Sequence, residues 1–156
     1  MYQIRTPGYS KKDQVMRWAL PDRVFFACGA CHILAYAFVE RYDHPQHEVL
    51  WIRPVAGHIG SHIFVASDSW AFDYHGYSDR GRYLAHTWRR ARQLWPGWDA
   101  DIIRLPRDVL VNEARSRSFP GLWLREPGQF LQDALPRAHR FLDRFPAPPL
   151  ILAALA

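Results

Sequence analysis

Residues 61–77 read SHIFVASDSWAFDYHGY, two runs rich in β-branched and aromatic side chains held apart by Ser67, Asp68 and Ser69. Runs of this kind form strands, and so short a polar connection permits only antiparallel pairing, because a parallel partner needs a crossover of about a dozen residues or more. With Ala66 to Ser69 as the loop, Val65 pairs with Trp70, and counting outward brings His62 opposite Asp73. A slip of one residue would send these two side chains to opposite faces of the sheet, so the loop decides whether they meet.

The flanking segments supply helices. KKDQVMRWAL predicts a short helix closed by Pro21, since proline disfavours helical backbone at the residue before it. RVFFA then reads as a short extended segment. From Gly29 the apolar positions Ala30, Ile33, Leu34, Ala37 and Phe38 recur at helical spacing, predicting a buried helix to about Tyr42 with Cys31 in its first turn. DHPQH breaks that helix, EVLWIRP is a strand, and a helix is expected from about Arg80 to Leu94, ended by WPGW. A strand at DIIRLP, a short helix near 107–117 and a last helix restarting at Pro136 complete the chain. This order predicts a single α+β domain over residues 1–156: a Cys-bearing helix packed on an antiparallel sheet, with additional C-terminal helices. Trp88, Trp95, Trp98, Phe119, Trp123, Phe130, Phe141 and Phe145 are expected in its core. YHGYSDRGRY, residues 74–83, is expected to be a strand-to-helix turn capped by Ser78 or Asp79.

At 49% hydrophobic and 15% aromatic, the chain has the composition of a folded protein and not of a disordered one. The net charge of +5 comes from arginine, Lys11 and Lys12 excepted. Its arginines are scattered among Asp and Glu, and the dense run TWRRARQLW reads as the polar face of a helix whose Trp88, Ala91 and Trp95 point inward. That pattern argues against a nucleic-acid partner. The N-terminus lacks the apolar segment of a secretory signal and no stretch of about 18 apolar residues is present for a membrane span, so the expected compartment is the cytoplasm, with non-classical secretion left open. The apolar tail from Pro146 is expected to pack on the domain or on a partner.

Cys28 and Cys31 are the only cysteines, and in the cytosol such a pair is read for chemistry before stability. C-G-A-C-H matches the haem c attachment pattern, with His32 as the iron ligand, but the chain lacks an export signal and its β section differs from the small helical folds that carry the motif. A C-x-x-C at a helix start also fits a thiol–disulfide redox pair, although the later helix and the proline before a hairpin that complete the thioredoxin-like arrangement are not found. Zinc could recruit both thiols with two of His32, His58, His62 and His75, but no second Cys pair fixes the site. The remaining reading is nucleophilic. A helix N-terminus favours the thiolate of Cys31, and His62 with Asp73 could act as base and orienting carboxylate. His58 and His75 compete for the base role, and Cys28 is expected to be a plain buried side chain.

GACHILAYAF resembles the helix-opening segment of transglutaminase-like and papain-like cysteine enzymes, which begins G-x-C before an apolar run. HIFVASDSWAFD resembles the transglutaminase-like core, in which a histidine heads one strand and an aspartate follows a tryptophan on the next. The resemblance covers residues 24–77. It implies that Cys31 is the nucleophile, His62 the general base and acid, and Asp73 its orienting partner. By the same resemblance the chain is a peptidase, deamidase or transglutaminase that acts on a protein or peptide and needs no metal or organic cofactor. The position after the nucleophile, aromatic in these families, is His32, and no glutamine lies just upstream to serve the oxyanion. The Cys31 backbone N–H can be one oxyanion donor, with Gln14 or Trp18 as candidates for the second. The alternatives from other classes are a non-catalytic protein-binding domain of the same fold and the C-x-x-C redox protein.

Overall fold

A computed structural model describes Ile4 and residues 7–149. The fold is mixed helix and sheet, as the order of segments predicts. Helices α1 (Gln14–Trp18), α2 (Asp22–Ala27) and α3 (Cys31–Arg41) come first. Strands β1 (Glu48–Pro54), β2 (His62–Ala66), β3 (Trp70–Asp73) and β4 (Gly76–Asp79) lead into α4 (Arg80–Leu94). Strand β5 (Ala100–Arg104), α5 (Glu113–Ser116) and α6 (Ala134–Leu142) follow. The five strands form one antiparallel sheet in the order β4-β3-β2-β1-β5.

Alternation along the strands divides the core into two layers. Val49, Trp51, Ile63, Val65 and Phe72 pack with Ile33, Leu34, Ala37 and Phe38 of α3 and with Phe141 of α6. Leu50, Ile52, Phe64, Ala66 and Ala71 face the other way, against Ala91 of α4 and Trp98. Helix α3 is therefore buried on nearly every side, and its N-terminal residue Cys31 is aimed at the end of the sheet where β2 begins.

Three expectations are corrected. RVFFA is helical, lying within α2, not extended. Val24, Phe25 and Phe26 favour strands in isolation, but Phe25 and Phe26 are fully buried, Phe25 edge-on to Trp18 and Phe26 stacked on Phe141 at 5.1 Å. Only a helix sends these adjacent rings to different partners in one layer, and packing overrides propensity. The β2–β3 register also differs: Val65 pairs with Phe72 and Ala66 with Ala71, so the loop is Ser67–Trp70. The Ser67 hydroxyl accepts from the N–H groups of Ser69 and Trp70, and the Ser67 N–H donates to the Trp70 carbonyl, drawing Trp70 into the turn. Finally, Trp123 is 64% exposed and not core.

The 74–83 segment contains strand β4, and Asp79 caps α4 by accepting from the Arg82 N–H at 2.8 Å. No described helix is long and apolar enough to cross a membrane. The expectation for the apolar tail falls mostly on residues 150–156, outside those described; at its start, the Tyr77 hydroxyl donates to the Pro146 carbonyl at 3.0 Å.

Candidate active site

Cys31 owes its position to the sharp link between α2 and α3. Gly29 carries φ +98°, a conformation side chains rarely adopt, and a Cβ there would overlap the Arg17 guanidinium. Arg17 donates to the Gly29 carbonyl at 3.0 Å, fixing the link from outside. The next residue but one opens α3, so the Cys31 N–H has no acceptor within the helix and the helix dipole favours an anion at its side chain.

His62 heads β2 after a loop held by two indoles. Trp51 donates to the Ser61 hydroxyl at 2.8 Å, and Trp98 donates to the Ile59 carbonyl at 2.8 Å. The observed register keeps His62 and Asp73 on the same side of the sheet, because a loop displaced by one position shifts the pairing by two. They are diagonal neighbours and not directly opposite, a separation long side chains span. His62 Nε2 and Asp73 Oδ2 lie 3.0 Å apart. A carboxylate only accepts, so Nε2 carries the proton and Nδ1 is left for the thiol.

His32 and His62 both stand against the Cys31 thiol and favour its ionised form. The two imidazoles differ in what holds them. His32 Nε2 donates to the Arg125 carbonyl at 2.7 Å, a neutral partner, whereas His62 donates to a carboxylate. Of the two, only His62 has a counter-ion that stabilises its protonated form.

Asp73 is buried and heavily bonded. Its Oδ2 also accepts from the Tyr83 hydroxyl at 2.8 Å, and its Oδ1 accepts from the His75 N–H at 2.8 Å with His75 Nδ1 at 3.4 Å. Burial alone would raise the Asp73 pKa, but the hydrogen bonds from His62 and His75 outweigh it and hold the carboxyl well below the usual carboxylate range. Burial likewise opposes charge on His62, and its bonds to Asp73 and Cys31 push it up to about 9. Burial would raise the Cys31 thiol, yet its bonds to His32 and His62 bring it down to about 5. The two shifts run in opposite directions and favour the pairing of a Cys31 thiolate with a His62 imidazolium.

Cys28 behaves differently. It is half-buried on the wall of the same cleft, and burial pushes its thiol up to about 11. Cys28 and Cys31 are not joined by a disulfide. His58 also lines the cleft, in the loop before His62, without a bond to Cys31. His75 is 46% exposed and meets the far oxygen of Asp73. Gln14 and Trp18 do not line the cleft: the Gln14 amide donates to the Gln129 carbonyl, and the Trp18 ring lies under Arg137. Among the described residues no group of three or more Cys, His, Asp or Glu side chains is arranged to hold a metal ion.

Sequence reasoning missed Tyr83, Arg17, Arg125 and the contact of His32. Tyr83 sits in the first turn of α4, and only the packing of α4 on β3 brings its hydroxyl to Asp73. No family model, curated protein or solved structure matches the chain.

Proposed function

We propose that the chain is a thiol-dependent acyl enzyme of transglutaminase-like or papain-like type, acting on an amide or related acyl bond. The observation that carries this reading is the continuous chain from Asp73 through His62 to Cys31, with thiol and imidazole pushed to opposite charge. Oppositely displaced titrations at a cleft are a mark of catalytic acid–base pairs. In the reaction the Cys31 thiolate attacks the acyl carbon, and the oxyanion forms near the unpaired N–H at the start of α3. His62 gives its proton to the leaving amine, and the thioester remains on Cys31. Water or a second amine, deprotonated by His62, then attacks the thioester and releases the thiolate. Water makes the enzyme a peptidase or deamidase, and an amine makes it a transglutaminase.

A protein or peptide substrate fits the cleft. Its volume of about 1840 Å³ exceeds the roughly 300–1,000 Å³ of small-ligand pockets. Ile59 and Trp123, 66% and 64% exposed, stand on its rim, where they can seat apolar side chains of an extended segment.

One observation favours a second reading. Cys28 shares the cleft with a low-pKa Cys31, an asymmetry that also suits thiol–disulfide exchange. The two separate in one experiment with p-nitrophenyl acetate. An acyl enzyme releases a burst of p-nitrophenolate and carries acetyl on Cys31 by mass spectrometry. The burst survives Cys28→Ser and vanishes in Cys31→Ala. Acetylation of Cys31 no faster than that of a free thiol would contradict the acyl-transfer reading.

A further inference from the structure

The wall of the cleft that holds Cys31 carries two arginines with buried, unpaired donor atoms. Arg17 is 8% exposed and its Nε has no hydrogen-bond partner. Arg125 Nη1 is likewise buried and unpaired, as is the Tyr9 hydroxyl, and all three residues line the cleft. Both guanidinium groups lie on the same ring, that of Phe130, at 5.3 and 5.6 Å from its centre. Among the described residues neither arginine forms an ion pair. The acidic residues of the cleft are engaged elsewhere: Asp73 with His62, Asp79 with the start of α4, and Asp101 with Arg53.

The two guanidinium groups, each against the ring of Phe130, repel one another, and leaving donors buried and unpaired costs further. An oxyanion removes both penalties, since guanidinium forks match carboxylate geometry. Their placement ties them to the chemistry. Arg17 grips the carbonyl of Gly29, and the Arg125 carbonyl holds His32, the residues on either side of the start of α3. We propose that Arg17 and Arg125 form an anion subsite that binds a carboxylate of the substrate beside the Cys31 thiol. The inference rests on the acyl-transfer reading and narrows its substrate class to acyl compounds with a carboxylate close to the reacting bond, such as an acidic side chain or a free chain end.

Two measurements on the intact protein and on Arg125→Gln test it. The first is the ratio of Cys31 alkylation rates by iodoacetate and iodoacetamide, reagents alike except for the carboxylate. The ratio falls about tenfold in Arg125→Gln, the size of one charge-assisted contact, and Arg125→Lys restores part of it. The second is thermal unfolding in sodium succinate against sodium chloride at matched ionic strength. Succinate raises the Tm of the wild-type protein, and Arg125→Gln abolishes the rise. An unchanged rate ratio, or a wild-type Tm that succinate does not move, overturns the anion subsite. If Cys31 resists both reagents, the thiolate reading falls, and the succinate shift with its loss in Arg125→Gln alone decides the subsite.

Discussion

Asp73 holds His62 through a charge and not merely through a hydrogen bond, and the two contributions separate with pH. The raised pKa of His62, about 9 against an ordinary 6.5, contributes stability that is complete below pH 6.5 and is lost as pH rises through 9. The depressed pKa of Asp73 contributes stability that is present above its ordinary value of 3.8 and is lost as pH falls below it. Asp73→Asn keeps the shape and removes the charge. We expect it to lower stability by about 2 kcal/mol, with the deficit greatest from about pH 4 to 6.5 and narrowing as pH rises from 6.5 to 9, as read by thermal unfolding from pH 4 to 10. A deficit that does not change with pH would mean that His62 is neutral. Cys31, His62 and Asp73 were legible in the sequence because their order and spacing follow from a helix start and a hairpin. Tyr83 and the two arginines were not, because each reaches the site from a segment whose approach is set by packing and not by local pattern.

The helix start at Cys31 and the β2–β3 hairpin are the elements on which the site depends, and both were readable: apolar spacing gave α3, and polar residues between apolar runs gave the turn. What escaped was finer. A serine hydroxyl bonding to the backbone two and three residues ahead moved the loop by one position, and side-chain bonds of this kind compete with strand pairing in ways that hydrophobic pattern does not record. The shift kept the site intact only because it preserved the faces of both strands. Helix α2 was misread because buried phenylalanines look alike in strand and helix. The link between α2 and α3 has no such tolerance. Gly29→Ala must adopt an unfavourable φ and displace Arg17, so it should cost about 1–3 kcal/mol in chemical denaturation and slow Cys31 alkylation. A fully stable Gly29→Ala protein with unchanged alkylation would show that the link is not what positions the thiol.

Across the whole molecule, the first and last helices close around the Cys-bearing helix through one side chain. Arg137 of α6 donates to Asp22 Oδ1 at 2.8 Å and to the carbonyls of Trp18 and Leu20 at 2.8 and 2.6 Å, and it lies over the rings of Trp18 and Phe25. With only 11% of its side chain exposed, Arg137→Ala should lower stability by about 2–3 kcal/mol in urea unfolding, more than loss of an exposed ion pair. The C-terminal helices, whose part in the protein the sequence left unassigned, thus brace the segment that presents Cys31, and the loop before α6 supplies Arg125 to the cleft wall and the Phe130 ring on which it lies. The proposed chemistry depends above all on the charge state of one thiol. The most direct test is the rate of iodoacetamide alkylation at each cysteine as a function of pH, in the wild-type protein and in His62→Ala. Cys31 is expected to titrate near 5 and Cys28 near 11, and His62→Ala to move the Cys31 midpoint upward while sparing Cys28. Two cysteines that both titrate near the ordinary thiol value of about 8.5, indifferent to His62, would contradict it.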